Sequence, residues 1–319
     1  MRKIMPRFFE EFRCIAGACS DSCCIGWEID IDDTTAEKYA AQGGGFGRRL
    51  RENIVKEEGV KHFCLKENER CAFLNEENLC DIYIHMGQDA LCDICREHPR
   101  FYEWFGDRVE AGLGLCCEEA CRLLLKEEAP LTFTETEDGA PEEDFEGDEA
   151  WLEMLEEARE KAYALLQDRS LSMQARLAGL MQLVYAVQDE MEGFAPLEEY
   201  EDAAPDDAQL MELCRKLEPI DDTWTRRIER MEAAQEREIR IPEWQLEHAA
   251  VYLTYRWLLK GAFDGDAIGK GRLVCVFVHL AVLLLKRGAA ESMEEALRIL
   301  SKEIEYSEEN TALCCEWEA

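Results

Sequence analysis

Basic residues are in short supply. Thirty-six Lys and Arg stand against 70 Asp and Glu, a formal net charge of -34 over 319 residues. A surface that acidic repels phosphate backbones and anionic lipid, so no nucleic-acid or membrane partner is expected. Long apolar runs are also missing. The longest, Leu273 to Leu285, is interrupted by His279 and is too short to span a bilayer by itself. Met1-Arg-Lys-Ile-Met-Pro6 has neither the apolar core nor the small-residue cleavage site of a secretory leader. The expectation is a cytoplasmic protein.

Several catalytic signatures are absent too. There is no P-loop, no nucleophile-elbow serine and no H-E-x-x-H motif. Gly43-Gly44-Gly45-Phe46-Gly47 has glycines but no preceding strand, and reads as a flexible loop. The cysteine triplet of standard radical enzymes that use S-adenosylmethionine is not completed. Cys19-x₃-Cys23 begins it, but Gly26 sits where the third cysteine belongs.

Cysteine is abundant and unevenly placed. Of sixteen, twelve lie between Cys14 and Cys121, including Cys64, Cys116 and Cys121; only Cys214, Cys275, Cys314 and Cys315 follow. Without an oxidising compartment, disulfides do not explain the crowding, and buried free thiols account only for isolated cases such as Cys275. Thiolate ligation of a metal does. Histidine is scarce there, with only His62, His85 and His98, so mixed Cys/His zinc sites are disfavoured. The spacing, with vicinal pairs at Cys23-Cys24 and Cys116-Cys117 and one C-x₂-C at Cys92-Asp-Ile-Cys95, favours an iron–sulfur cluster and leaves zinc as the alternative.

Helical periodicity dominates the rest, with few strand patterns, so the expected fold is mainly α: an irregular Cys-rich metal-binding region over 1–126, an acidic linker or loop over 127–149, and a helical domain, a C-terminal bundle, over 150–319. Glu135 to Glu149 carries nine acidic residues and no basic one. In the first region, helices are expected from a capping box at Thr34-x-x-Glu37, over Phe46–Glu57, Asn75–His85 and Glu118–Lys126. In the last, Trp244–Lys260 is expected to close at Gly261, Asp266 to cap the next helix, and Ser292-x-x-Glu295 to open another.

The stretch Phe12-Arg-Cys14-Ile-Ala-Gly-Ala-Cys19-Ser-Asp-Ser-Cys23-Cys24-Ile-Gly-Trp27-Glu-Ile-Asp30-Ile-Asp32 resembles the opening motif of the flagellin lysine-N-methylase family. The likeness continues through Cys71-Ala-Phe-Leu-Asn75, Leu79-Cys80-Asp-Ile82, Leu91-Cys92-Asp-Ile-Cys95, His98-Pro99-Arg100, Cys117-Glu-Glu-Ala120 and Arg122. Tyr255-Arg-Trp-Leu-Leu-Lys260-Gly-Ala-Phe-Asp264-Gly-Asp266 and Ser301-Lys-Glu-Ile-Glu305-Tyr-Ser307-Glu-Glu-Asn310 look like two further signatures.

The resemblance implies an enzyme, an S-adenosylmethionine-dependent protein-lysine N-methyltransferase acting on flagellin and carrying an iron–sulfur cluster, [4Fe–4S] being the expected type. Its cysteine pattern matches Cys14, Cys19, Cys23, Cys24, Cys71, Cys80, Cys92, Cys95 and Cys117, more than the four thiolates one such cluster takes. Two metal sites, or a mixture of ligands and structural thiols, are both open. A lysine ammonium must lose its proton before it attacks a methyl group. Tyr255, Asp264, Asp266 and Glu305, lying in the two C-terminal signatures, are the catalytic candidates. Arg100 is the candidate for pairing with the cofactor's carboxylate.

Overall fold

The computed structural model describes residues 1–57, 59–137, 144–201 and 203–317. In chain order the elements are β1 (Arg2–Pro6), α1 (Asp33–Ala41), α2 (Gly44–Glu52), β2 (Ile54–Glu57), β3 (Val60–Phe63), α3 (Asp81–Met86), α4 (Asp93–Glu97), β4 (Arg100–Phe105), β5 (Arg108–Leu113), α5 (Glu118–Leu124) and β6 (Phe133–Glu137). Helices then take over: α6 (Glu149–Leu166), α7 (Met173–Met191), α8 (Asp207–Lys216), α9 (Asp222–Ala233), α10 (Glu243–Trp257), α11 (Gly261–Asp264), α12 (Ala267–Lys286), α13 (Met293–Leu300) and α14 (Glu308–Glu316). The fold is mainly α, with a Cys-rich N-terminal part and a helical C-terminal part. Two compact units are present: residues 1–12, 102–116 and 120–319 form one, and residues 13–101 with 117–119 form the other.

In the first unit the strands run in the order β4-β5-β1-β6. β1 lies parallel to β5, with Arg2 opposite Arg108 and Ile4 opposite Glu110, and antiparallel to β6, with Arg2 opposite Glu137 and Pro6 opposite Phe133. Every residue of β5 is buried. Of the stretch 127–149 expected to be an acidic linker, Phe133–Glu137 is therefore a paired strand; 138–143 lies outside the described residues.

The sheet places two charges in the interior. Glu110 on β5 accepts two bonds of 2.7 Å from the Arg159 guanidinium on α6, while Arg108 approaches it at 3.4 Å. Burial of an ion pair is tolerated when both oxygens are bonded in this forked geometry.

α12 is the central helix, packed by α7, α8, α10, α13 and α14. It is longer than the apolar run suggests, because the turn Ala267–Arg272 joins it. By length and composition its 20 residues suffice to cross a bilayer, but the apolar window is 78% buried within the protein. Its start is set by Asp266, whose Oδ1 accepts from Gly269 N at 2.7 Å, as expected of a cap. Ser292 likewise caps α13 through Glu295 N.

Gly261 does not end α10. A short 3₁₀ turn, Leu258–Lys260, leads directly into α11, and Gly265 (φ +75°) supplies the left-handed stop instead. Leu258, Leu259 and Ala262 are buried, so packing carries the chain past the glycine.

The second unit is built from short elements. Asp32, not Thr34, caps α1, through Thr35 N at 2.8 Å. The helix expected over Phe46–Glu57 stops at Glu52, and Ile54–Glu57 pairs with β3 as a hairpin. Of Asn75–His85 only the last part is helical. The Asn75 side chain accepts from Glu77 N and Leu79 N, closing a turn that competes with the helix.

Candidate metal centre and C-terminal signatures

The second unit's core gathers sulfur. Cys71 and Cys92 are buried among Ile29, Ile31, Tyr39, Leu50, Phe63, Phe73 and Ile82, and Cys24, Cys64, Cys80 and Cys95 pack against the same cluster. Backbone bonds impose the arrangement. Cys71 N donates to Cys24 O and Ala72 N to Cys64 O, both at 2.9 Å, and Leu74 bridges Cys80. Cys80 and Cys92 occupy the N-cap positions of α3 and α4. Tyr39 holds α1 to the loop before Cys92, its hydroxyl donating to Ala90 O at 2.6 Å.

Burial pushes the Cys71 thiol up to about 12 and raises Cys80, and neighbouring sulfurs add to both shifts. Cys24 is raised by its bond with Cys23, then by burial. In the Cys92–Cys95 pair the Cys95 thiol donates to Cys92, so Cys92 is held down and Cys95 pushed up. Nearby backbone N–H groups act the other way, opposing the rise at Cys71 (from Phe73) and at Cys80 (from Tyr83 and Ile82) and lowering Cys92 (from Cys95). Thiols gathered in and against one core make a donor set suited to a thiophilic cation. Among the described residues no three His, Cys, Asp or Glu side chains are already closed into the geometry of a bound ion; the thiols stand in pairs.

The structure sorts the nine cysteines named from sequence. Cys24, Cys71, Cys80, Cys92 and Cys95 share the core, and Cys23 adjoins it through Cys24. Cys14 is exposed, and its sulfur accepts from Ala16 N. Cys19 lies elsewhere, its thiol 3.7 Å from Glu118, the residue after Cys117. Sequence reasoning passed over Cys64, which the core includes. Its only sequence signal is its position seven residues before Cys71 and one after β3. Of the scarce histidines, His98 packs near Trp27 and is pushed down to about 4 by burial. Arg100 begins β4, one residue after the cis peptide His98–Pro99.

The C-terminal candidates fall in different settings within the first unit. Tyr255 is buried, and its hydroxyl lies 2.9 Å from both Ile4 O and Ala111 O, bridging β1 and β5. Burial raises its pKa well above the usual phenol range. Glu305 has no exposed side-chain surface (0%); it takes Arg256 at 2.5 Å, Trp257 Nε1 at 3.0 Å and the Ser301 hydroxyl. Asp264 is exposed, binds Lys270 at 2.5 Å and accepts from Asp266 N, while Asp266 is occupied as the cap of α12.

The third signature contains a feature no periodicity suggests: Ser301–Glu305 is a π-helical turn. Such turns inside helices are frequent at functional sites. Within it, Glu303 accepts from Ile220 N at 2.9 Å, and burial raises its carboxyl to about 7, with Asp221 adding to the rise while Lys302 and Arg227 oppose it. The folded state therefore keeps a proton that the unfolded chain releases near 4.5. Stability from this group is complete below pH 4.5 and is lost as pH rises through about 7. Glu303→Gln is expected to be about 2–3 kcal/mol more stable than the parent at pH 8 and equal to it at pH 4, in paired denaturant titrations.

These features define a protein with a Cys-rich unit and a helical unit. A family model described as "Putative zinc- or iron-chelating domain" (CxxCxxCC) matches residues 13–112. The flagellar biosynthetic protein FliU of Salmonella muenchen is 30% identical over 144 residues, covering 41% of this chain and 80% of that protein. The lysine-N-methylases of Salmonella typhimurium and Salmonella choleraesuis are each 28% identical over 143 residues, covering 41% of this chain and 34% of theirs. The match thus spans about a third of the lysine-N-methylases' length. No solved structure matches. The chain belongs to the family of FliU and the lysine-N-methylases.

Proposed function

We propose that this chain moves methyl groups from S-adenosylmethionine to lysine side chains of flagellin, in the cytoplasm, using an iron–sulfur centre of the [4Fe–4S] type. The observation that carries the reading is the packing of six cysteines into one core of a chain whose relatives are named lysine-N-methylase. Three of Cys24, Cys71, Cys80, Cys92 and Cys95 would hold the cluster and the other two brace it, with Cys64 and Cys23 beside them. Cys14, Cys19 and Cys117 would serve a second site or brace their own loops. When bound, an iron with an open position supplies an anchor for the amino and carboxylate groups of S-adenosylmethionine, and Arg100 would pair with that carboxylate.

The chain's own residues have a proton to manage, because only a neutral amine attacks the methyl group. Of the four candidates Asp264 is the acid that solvent reaches, with Lys270 and Asp266 fixing its position. Tyr255 and Glu305 would act by holding the sheet and the π-helical turn. The net charge of -34 supports a protein substrate over nucleic acid or membrane.

Co-expression with flagellin is expected to add methyl increments to flagellin's intact mass, which Cys80→Ser abolishes. An unchanged flagellin mass beside folded, metal-loaded protein overturns the reading. The second reading, a non-enzymatic zinc- or iron-binding module, draws on the full engagement of Tyr255 and Glu305. It expects colourless zinc protein, whereas iron–sulfur protein is brown and bleaches with dithionite.

A further inference from the structure

Three distant segments of the first unit meet beneath Tyr306. The Cys116 thiol donates to its hydroxyl at 3.0 Å. Arg256 lies within electrostatic reach of that thiol and phenol, and is itself fixed by Glu305, which Trp257 and Ser301 also grip. Burying a guanidinium and a carboxylate costs several kcal/mol per ion, and apolar side chains of the same volume would stabilise the spot as well or better. What this scaffold fixes is one aromatic ring. Tyr306 follows the π-helical turn directly, is 43% exposed, and forms a wall of a cavity of about 430 Å³. The remaining lining includes Glu218, Ile220, Glu308 and Glu309 and no basic side chain. None of those three carboxylates is in an ion pair among the described residues. Such a lining suits a cation with a short apolar stem, offering Ile220 and the ring to its methylenes and the carboxylates to its charge.

We propose that this cavity seats a primary alkylammonium, the side chain of the acceptor lysine, with Tyr306 as its positioning residue. The inference rests on the lysine-methylation reading and extends it to the amine's binding site. Cys116 and the Arg256–Glu305 pair orient the phenol from behind; the three carboxylates set the sign of charge admitted.

The test uses the full chain with ring-labelled tyrosines, the Tyr306 resonance being assigned by Tyr306→Phe. Titration with Nα-acetyl-lysine-N-methylamide is expected to shift that resonance saturably, and the norleucine analogue, which lacks the amine, to leave it in place. Combined Glu218→Gln, Glu308→Gln and Glu309→Gln are expected to weaken the lysine analogue about tenfold. Should that variant fail to fold, exposed Glu308→Gln alone is expected to weaken it about threefold. An unmoved resonance, an equal response to norleucine, or full affinity in the folded carboxamide variants overturns the proposal. Methyllysine on flagellin together with an unmoved Tyr306 removes this seat and leaves the reaction. A shifted Tyr306 with unmodified flagellin leaves the seat and removes the substrate.

Discussion

Replacing Cys80 or Cys92 with serine is expected to reduce bound metal from stoichiometric to background, measured by elemental analysis of anaerobically purified protein. Both residues sit at helix N-cap positions, Cys92 buried in the core and Cys80 packed against it, so each is positioned before any cation arrives. A serine oxygen is too hard and too short to replace either. Structural metal binding contributes about 10–16 kcal/mol in small domains, more than a core of that size supplies alone. The same substitutions, or a strong chelator, should therefore remove the thermal transition of residues 13–101 while the helical transition persists. Cys275→Ser is the control. That thiol lies in α12 and faces Leu177 O at 3.6 Å, remote in kind from the sulfur core. Metal retained at full occupancy in both Cys80→Ser and Cys92→Ser would remove these sulfurs from the ligand set.

The second large effect is expected beneath the sheet. Arg159→Met should lower the unfolding free energy by about 3–5 kcal/mol, because Glu110 is left buried with only Arg108 at 3.4 Å. Adding Glu110→Leu to Arg159→Met should recover more than half of the loss, since the stranded charge is then gone. Urea titration of the parent, both single variants and the double variant gives the coupling energy directly. A loss below about 1 kcal/mol in Arg159→Met would mean the pair is hydrated rather than buried.

How much of this was legible in sequence follows from range. Asp266 and Ser292 were readable as caps because a cap is a contact of three residues. The crowding of cysteine announced a metal-binding region, although membership of Cys64 depends on a strand pairing that no spacing encodes. The sheet escaped because β1 finds both partners more than 100 residues later, and β6 reads as part of an acidic run. Gly261 misled because glycine's usual role at a helix end is a propensity, and burial of Leu258, Leu259 and Ala262 outweighs it. Among tyrosines of the two signatures, sequence cannot separate Tyr255, locked beneath carbonyls, from Tyr306 at a cavity wall. Only packing distinguishes a ring that braces from one that can meet a ligand.

The strand at Arg2–Pro6 also sets a schedule for synthesis. Made before its partners, it stays unpaired until Arg108–Leu113 emerges, and gains its other neighbour only with Phe133–Glu137. All of 13–101 is out by then, so the sulfur-rich unit can close while the strand still waits. Loss of residues 1–6 would thus spare that unit and strip the sheet of the strand between β5 and β6.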